Sequence, residues 1–245
     1  GAPHGRLHYS DDGRRIVVGL TPQPVFAAPT APDQILLDAR DGRVLQPPQL
    51  PPGFADIVHD EQGRHAIVRW RTRPDKRFAD RFRMYRVEDW VPVGPEREDT
   101  SSMWLFAPDG QSLLRTREFQ EFQRVSFEDL SVQWSLRLRD NQLARAWRWS
   151  PDGRTLALGC LDGSVLLVDG ANGAARSLPS APSGVVRWLE FDRDGSMLVA
   201  LSEIGEVVAW DMQTLGTRAA PLRIADVPET GRVRVLDGHL GLSHG

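Results

Sequence analysis

Trp149-Ser-Pro-Asp-Gly-Arg-Thr-Leu-Ala-Leu158 is the segment from which the architecture of this 245-residue chain can be inferred, because related segments recur along it. The clearest relative is Phe191-Asp-Arg-Asp-Gly-Ser-Met-Leu-Val-Ala200, and three further copies begin at Tyr9, His59 and Phe106. The glycines shared by the five copies follow one another at intervals of 50, 47, 43 and 42 residues, and they are Gly13, Gly63, Gly110, Gly153 and Gly195. A repeat of this period predicts an array of similar supersecondary units.

Each copy has the residue pattern of a β-hairpin turn. Pro151 presets φ at the first central position, Asp152 is favoured at the next, and Gly153 can adopt the positive φ that closes the turn. Short runs of alternating residues flank the turn, as at 146–150 and 187–190, and this period of two predicts strands. The turn residues predicted in the other copies are Asp12, Gly13, Gly63, Asp109, Gly110, Asp194 and Gly195.

A third strand is predicted after each hairpin, and a fourth fits before the next copy begins, for example over residues 175–178. Four short strands per repeat predict an all-β fold made of four-stranded antiparallel sheets. The predicted third strands are Gln34–Asp38, Phe82–Val87, Ser131–Leu136, Ser164–Asp169 and Glu206–Asp211.

These motifs resemble those of the WD-repeat family. Ser150-Pro-Asp-Gly153, Gly159-Cys-Leu-Asp-Gly163 and the dipeptide Trp210-Asp211 match the family pattern in order and spacing. The resemblance implies a β-propeller, in which four-stranded blades are arranged radially around a channel, and it gives Trp210 and Asp211 structural roles. The implied blades cover approximately residues 7–53, 54–101, 102–143, 144–184 and 185–221, with 222–245 as a closing or partial blade.

Two features depart from the family pattern. No copy has a Gly-His dipeptide before its first strand, and Trp-Asp is complete only at residues 210–211. Gly238-His239 resembles the start of a further blade, so five visible repeats and a possible sixth fit either a small propeller or a section of a larger one. Tol-type periplasmic propellers, which also carry Ser-Pro-Asp-Gly turns, remain an alternative.

The composition is that of an ordinary folded protein, with 40% hydrophobic and 26% charged residues. A net charge of −3 gives no bulk attraction to nucleic acid or to an anionic membrane, and no apolar run approaches the roughly 20 residues that cross a bilayer. Cys160 is the single cysteine, so no internal disulfide can form and a cytoplasmic location is expected. Lys76 is the single lysine beside many arginines, which is typical of a GC-rich bacterial genome.

Three copies carry predicted insertions between their second and third strands, at Thr21–Asp33, Thr72–Arg81 and Thr116–Asp129. Insertions in a repeat protein often form binding faces, and the second and third combine arginine with phenylalanine, as protein-interaction hot spots do. The alternative is that the phenylalanines pack back onto neighbouring blades. Acidic residues in the same loops, such as Asp80 and Glu121, disfavour nucleic acid. The candidate partner-binding residues are Arg73, Lys76, Arg77, Phe78, Arg81, Phe119 and Phe122.

No catalytic, cofactor-binding or metal-binding residue is predicted, because the six histidines show no metal-ligand spacing and no cysteine pairing. Gly241-Leu-Ser-His-Gly245 matches the Gly-x-Ser-x-Gly pattern of serine hydrolases, but that motif requires a strand before it and a helix after it. The tryptophans of predicted first and third strands are expected to pack between blades, and they include Trp147, Trp149, Trp188 and Trp210.

The function expected from this pattern is that of a non-enzymatic scaffold. The resemblance implies a propeller that docks a protein partner, or another domain of the same polypeptide, through one rim. The alternative function is that of a periplasmic Tol-type or hydrolase-linked propeller, which would act as a ligand-binding or gating module.

Overall fold

The regular secondary structure of the described residues is entirely β, in a computed structural model of the chain. The predicted all-β fold is confirmed, and several of its sheets are four-stranded and antiparallel. Within the described parts of the chain, no helix is long and apolar enough to cross a membrane. The described residues are 6–9, 13–19, 34–45, 54–60, 62–73, 80–101, 103–218, 222–223, 231–236 and 239–244.

The described strands form six separate sheets, and each sheet is built from strands that are consecutive in the chain. The sheets contain β1–β3, β4–β8, β9–β12, β13–β16, β17–β20 and β21–β22, and in the second sheet both β7 and β8 pair with β6. The strands are β1 (Arg6–Tyr9), β2 (Arg15–Gly19), β3 (Gln34–Asp38), β4 (Phe54–His59), β5 (His65–Trp70), β6 (Arg81–Arg86), β7 (Val91–Pro92), β8 (Arg97–Glu98), β9 (Met103–Phe106), β10 (Ser112–Arg117), β11 (Glu121–Ser126), β12 (Val132–Arg137), β13 (Ala144–Trp149), β14 (Thr155–Cys160), β15 (Val165–Asp169), β16 (Ala175–Ser177), β17 (Val186–Phe191), β18 (Met197–Ser202), β19 (Glu206–Asp211), β20 (Leu222–Arg223), β21 (Gly231–Leu236) and β22 (His239–His244).

The chain divides into two compact units. The first unit contains Gly1–Arg117 and Arg124–Val132, and the second contains Glu118–Gln123 and Gln133–Gly245. The first and second sheets therefore belong to the first unit, and the fourth, fifth and sixth sheets belong to the second. The third sheet supplies strands to both.

The turn between the first and second strands has the same hydrogen bonds in four of the sheets. In the fourth sheet, the Gly153 N–H donates to the Ser150 C=O at 2.9 Å, and the Ser150 N–H donates to the Thr155 C=O at 2.7 Å. Asp152 Oδ1 also accepts the Arg154 N–H at 3.0 Å. Gly153 has a φ of 68°, and the equivalent glycines of all five copies have φ between 61° and 74°. Glycine adopts this left-handed region without steric cost, and so it closes the turn.

A second backbone hydrogen bond also recurs in the copies, and the number of residues between its donor and its acceptor shows how long the connection between the second and third strands is. In every copy, the C=O of the residue after the turn glycine accepts the N–H of the residue after the third strand, at 2.7–2.9 Å. These two residues lie 25 positions apart in the first copy, 23 in the second and 16 in the other three. The first and second copies therefore contain nine and seven extra residues, and the third contains none. The acceptor and donor pairs are Arg14 and Ala39, Arg64 and Val87, Gln111 and Phe127, Arg154 and Gly170, and Ser196 and Met212.

The insertion predicted at Thr116–Asp129 is therefore wrong. This segment contains the end of β10, a three-residue turn at 118–120 and the whole of strand β11. The segment predicted as the third strand, Ser131–Leu136, forms the fourth strand β12. The physical reason is that β11 departs from period-two burial. Phe122 and Val125 are its fully buried residues, and their spacing of three hides the strand from a search for alternation.

Among the described residues of the first unit, two apolar clusters use opposite faces of β5. Because side chains alternate along a strand, Ile67 contributes to one cluster, and Ala66 and Val68 contribute to the other. The buried residues of the first cluster are Ile67, Phe82, Met84, Trp104, Phe106, Leu113, Val125 and Phe127. The buried residues of the second are Leu36, Ile57, Ala66, Val68, Trp70 and Val87.

The core of the second unit is shared by the fourth and fifth sheets. Trp210 is fully buried there, and its indole Nε1–H donates to the Pro179 C=O at 2.8 Å. Gly159, in the middle of β14, brings this strand close to β17, since a Cβ at its position would lie 2.4 Å from Val186 Cγ1. The buried residues of this cluster are Ala146, Ala157, Val165, Leu167, Leu178, Val186, Leu189, Phe191, Leu198, Ala200, Val208 and Trp210.

Candidate functional site

The connection between β5 and β6 in the first unit contains several of the predicted partner-binding residues. Its ends are joined by the Thr72 N–H and Oγ1–H, which donate to the two carboxylate oxygens of Asp80 at 2.7 Å each. Arg73 is exposed, whereas Arg81 lies 3.6 Å from the Glu98 carboxylate and is already partly neutralised within its own sheet. Three of the predicted partner-binding residues lie outside the described part of the chain, namely Lys76, Arg77 and Phe78. The predicted turn residue Asp12 also lies outside it.

The other two predicted residues, Phe119 and Phe122, differ in accessibility. Phe122 is 0% exposed, so its assignment as a partner-contacting residue is wrong, because β11 turns its side chain into the interior. Phe119 is half-buried in the turn before β11, with a positive φ of 58°. Its ring stacks on Trp147, with the ring centroids 6.0 Å apart and the planes 9° from parallel. Phe119 therefore remains available at the surface as part of an aromatic pair.

The turn that contains Phe119 belongs to a continuous surface at one end of the strands of the second unit. Backbone hydrogen bonds connect the turns to the linkers between sheets: the Ala144 N–H donates to the Phe119 C=O, and the Leu161 N–H donates to the Leu143 C=O, both at 2.8 Å. Gly163 lies so close to the next linker that a Cβ there would be 2.9 Å from the Gly184 C=O.

A further backbone hydrogen bond extends this surface to the fifth sheet, since the Glu203 N–H donates to the Val185 C=O at 2.8 Å. The three turns between second and third strands, at 118–120, 161–164 and 203–205, therefore lie along one edge of the unit. We call this region the turn-end surface, and its residues are Phe119, Arg145, Trp147, Leu161, Trp188 and Ile204.

The turn-end surface exposes large apolar side chains. Leu161 is 39% exposed, Trp188 is 40% exposed and Ile204 is 53% exposed, while Phe119 and Trp147 are half-buried. Trp149 and Trp210 are buried as the sequence predicted, but the prediction that Trp188 packs in the core is wrong. The strand β17 has a register shift between Val186 and Trp188, and such a bulge redirects the side chain that follows it.

Most charged side chains at this surface form a hydrogen bond or an ion pair with another residue of the second unit. Arg187 Nη2 donates to Glu203 Oε2 at 3.0 Å, and the Ser183 N–H donates to Glu206 Oε2 at 2.9 Å. Arg145 differs from them. It is exposed at the bulge of β13, between Ala144 and Ala146, and it has no hydrogen bond or ion pair with any residue that the structure describes.

A buried polar network in the first unit has a structural role. Arg69 Nε–H donates to Asp99 Oδ2 at 2.8 Å, and Trp104 Nε1–H donates to the same oxygen at 3.1 Å. The Ser101 N–H donates to the other carboxylate oxygen at 2.8 Å, and the Ser101 C=O accepts from Arg69 Nη2. Arg69 and Asp99 are buried, so the network holds β5 and the segment before β9 together and offers no accessible group to a ligand.

The Trp-Asp pair of the fifth sheet is likewise part of the architecture. Asp211 Oδ1 accepts the N–H groups of Gln213 and Thr214 at 3.0 and 2.9 Å, while its Oδ2 accepts from Arg218 Nη2 at 3.0 Å. These bonds hold the pKa of the Asp211 carboxyl below its usual value, chiefly through the Thr214 N–H. Asp211 therefore fixes the turn that follows the third strand.

The groups with chemical reactivity do not assemble into a site within the described residues. No three metal-ligating side chains come together there. Cys160 is buried, and burial raises the pKa of its thiol to about 11, which makes it a poor nucleophile at neutral pH. Ser243 of the Gly-x-Ser-x-Gly segment lies within strand β22, paired with Arg232 of β21, and not at the strand-to-helix turn that the hydrolase motif requires.

Comparison with known proteins does not assign the chain to a family. A scan against protein-family models finds no match, and a search of curated proteins finds none either.

Only Phe119 of the turn-end surface was predicted from the sequence as a surface residue; Arg145, Trp147, Leu161, Trp188 and Ile204 were not. Leu161 and Ile204 could have been found, because each places an aliphatic side chain in a tight turn that contains a glycine, where polar residues are usual. Trp188 could not, because its exposure depends on a bulge that only the pairing of β17 with β18 reveals.

Proposed function

We propose that the chain is a WD-like β-propeller, or a section of one, and that it acts in the cytoplasm as a non-enzymatic scaffold. In this proposal it docks a protein partner, or another domain of its own polypeptide, through the turn-end surface. The five repeated turns, the repeated hydrogen bond between the second and third strands, and the four-stranded sheets all support a propeller. The contact of β13 with β17 also agrees with neighbouring blades whose first strands lie side by side.

The observation that carries the docking role is the exposure of Trp188, Leu161 and Ile204 at one end of the second unit. Exposed large apolar side chains that lie together mark interaction sites in soluble proteins. Tryptophan in particular supplies a large share of the binding energy at protein interfaces. A surface of this kind, on sheets that are otherwise well packed, therefore supports binding rather than catalysis.

The test compares a double variant of this surface, Trp188→Ser with Ile204→Ser, with the native chain. The control variant is Val44→Ser with Val91→Ser, which removes two similarly exposed apolar side chains, 47% and 45% exposed, from the first unit. Each protein is used to recover partners from an extract of its own organism, after thermal melts have shown that all three are folded.

The proposal predicts that the native chain and the control recover the same partner, while the Trp188 and Ile204 variant recovers at least tenfold less of it. Loss of one central aromatic anchor commonly costs about 2 kcal/mol or more, which corresponds to roughly 30-fold in affinity. Equal recovery by all three proteins would show that the turn-end surface is not the docking site.

A further inference from the structure

The outer edges of the sheets differ in how they are protected against pairing with another strand. An edge strand directs every second N–H and C=O away from its sheet, and natural proteins shorten such strands or place charges and prolines along them. The last strand of the second sheet is interrupted at Gly94 and Pro95, which leaves β7 and β8 with two residues each. Strands β16 and β20, at the edges of the fourth and fifth sheets, are three and two residues long. Each of these edges therefore offers only a short template.

Strand β12 lacks this protection at the edge of the third sheet. It is six residues long, and it pairs with β11 on one side and with no described strand on the other. It contains no proline, and its single charged residue is Arg137, at its end. Gln133, Ser135 and Arg137 are exposed along it. Most of this edge, Gln133–Arg137, lies in the second unit, and it presents a row of accessible backbone groups.

The packing of β12 holds this edge in place. Trp134 is buried, and its Nε1–H donates to the Gly170 C=O at 2.8 Å. A Cβ at Gly173 would lie 2.9 Å from Trp134 Cδ2, so the turn of the fourth sheet lies directly against the indole ring. Ser135 Oγ also accepts a hydrogen bond from Gln123 Nε2 of the neighbouring β11, at 3.2 Å. An edge that is already ordered loses little conformational freedom when a further strand binds to it.

The chemistry of the edge specifies its occupant, because a second extended backbone offers N–H and C=O groups at the spacing that a strand edge requires. We propose that β12 binds an extended segment of a partner protein, which adds one more strand to the third sheet. Side chains alternate along such a segment. One set lies on the side of Trp134 and Leu136, and the other lies beside Gln133 and Ser135. The segment that fits therefore alternates aromatic or branched aliphatic residues with polar ones.

The test uses random 12-residue peptides displayed on phage. The library is first depleted on the double variant Gln133→Lys with Ser135→Lys, because lysines deter pairing at an edge, and it is then enriched on the native chain. The affinities of the enriched peptides are measured for the native chain and for a control, Ala175→Lys with Ser177→Lys. The control places the same charges on two exposed residues of β16. Thermal melts first establish that both variants are folded.

Two measurements report strand pairing itself. In hydrogen exchange followed by NMR, bound peptide should slow the exchange of alternate amides of residues 132–137 by about tenfold or more. Methylation of single backbone nitrogens of the peptide should weaken binding by about tenfold at every second residue, since it removes a donor of the new ladder there. The control variant and the Trp188→Ser and Ile204→Ser variant should both bind the peptides as tightly as the native chain does.

Several results would overturn the proposal: no peptide enriched after depletion, a methylation pattern without a period of two, protection of amides outside β12, or weaker binding by the control. Sedimentation of the native chain provides a further check. A dimer that Gln133→Lys with Ser135→Lys dissociates would show that a second copy of the chain occupies the edge. Loss of peptide binding by the Trp188→Ser and Ile204→Ser variant would place the peptides on the turn-end surface instead. Recovery of the native partner with that variant tests the docking role separately, so either proposal can fail alone.

Discussion

His59 shows how one buried residue makes the stability of this fold depend on pH. Its side chain lies in the interior at the end of β4, and burial lowers the pKa of its imidazole from 6.5 to about 4, an effect that the nearby Asp60 carboxylate only partly offsets. At a pH between these two pKa values, His59 binds a proton in the unfolded chain but not in the folded chain. Stability therefore rises with pH across this window and is lost as the pH falls from 6.5 toward 4. The loss from this residue is about 3 kcal/mol.

The prediction is that His59→Gln, which cannot take up the proton, loses less stability on acidification than the native chain does. Urea unfolding of both proteins at pH 7.5 and at pH 4.5 measures the free energy of unfolding, and the comparison uses the change with pH for each protein. The carboxylates with lowered pKa values, such as Asp109 and Asp211, contribute equally to both proteins and cancel in this comparison. Parallel pH dependences for the two proteins would show that His59 is protonated in the folded state.

At the scale of the secondary-structure elements, the packing of β14 against β17 depends on a residue without a side chain. A Cβ at Gly159 would meet Val186 Cγ1 at 2.4 Å and Val186 Cβ at 2.8 Å. Gly159→Ala should therefore destabilise the chain by about 1–3 kcal/mol, the usual cost of overpacking a well-packed core. Val186→Ala removes Cγ1, the nearer of these two atoms, and keeps Cβ, so it relieves part of the clash and the double variant should be more stable than the sum of the two single effects predicts. Urea unfolding of the four proteins measures this coupling, and strictly additive effects would contradict the close approach.

The elements differ in how far the sequence alone could predict them. The hairpins were predictable because their turns are local: Ser150, Asp152 and Gly153 interact with one another within a few residues. Strand β11 was not predictable, because its buried residues, Phe122 and Val125, are three apart and lack the alternation of a regular strand. The candidate site was likewise hard to predict, because its residues also depart from regular alternation.

The turn-end surface brings together side chains from three turns and two first strands, and their proximity follows from hydrogen bonds between turns and linkers. Phe119 could be proposed from the sequence because a phenylalanine among charged residues is unusual in a loop. The exposure of Arg145 and Trp188 comes from bulges in β13 and β17, and a bulge changes which face of a strand a residue occupies. A sequence pattern that assumes regular alternation therefore assigns such residues to the wrong face.

At the scale of the whole molecule, two regions compete for the role of docking site: the insertion-bearing connection of the first unit and the turn-end surface of the second. The connection between β5 and β6 is seven residues longer than its counterparts in the third to fifth copies. Its ends are already held together by Thr72 and Asp80. Shortening it should therefore cost little, because closing a short loop whose ends lie close together changes the loop-closure entropy by less than about 1 kcal/mol.

The prediction is that a variant in which residues 74–79 are replaced by a single glycine folds and keeps its docking activity. Its melting temperature should lie within about 5 °C of that of the native chain, as a change of about 1 kcal/mol allows. Its recovery of the partner should be unchanged, whereas the Trp188→Ser and Ile204→Ser variant should lose it. If the shortened variant keeps its melting temperature but loses the partner, the aromatic and basic residues of that connection form the docking site, and the exposed apolar residues of the second unit do not. Because both variants are judged against the same partner and the same melting curve, the comparison assigns the binding function to one unit of the molecule.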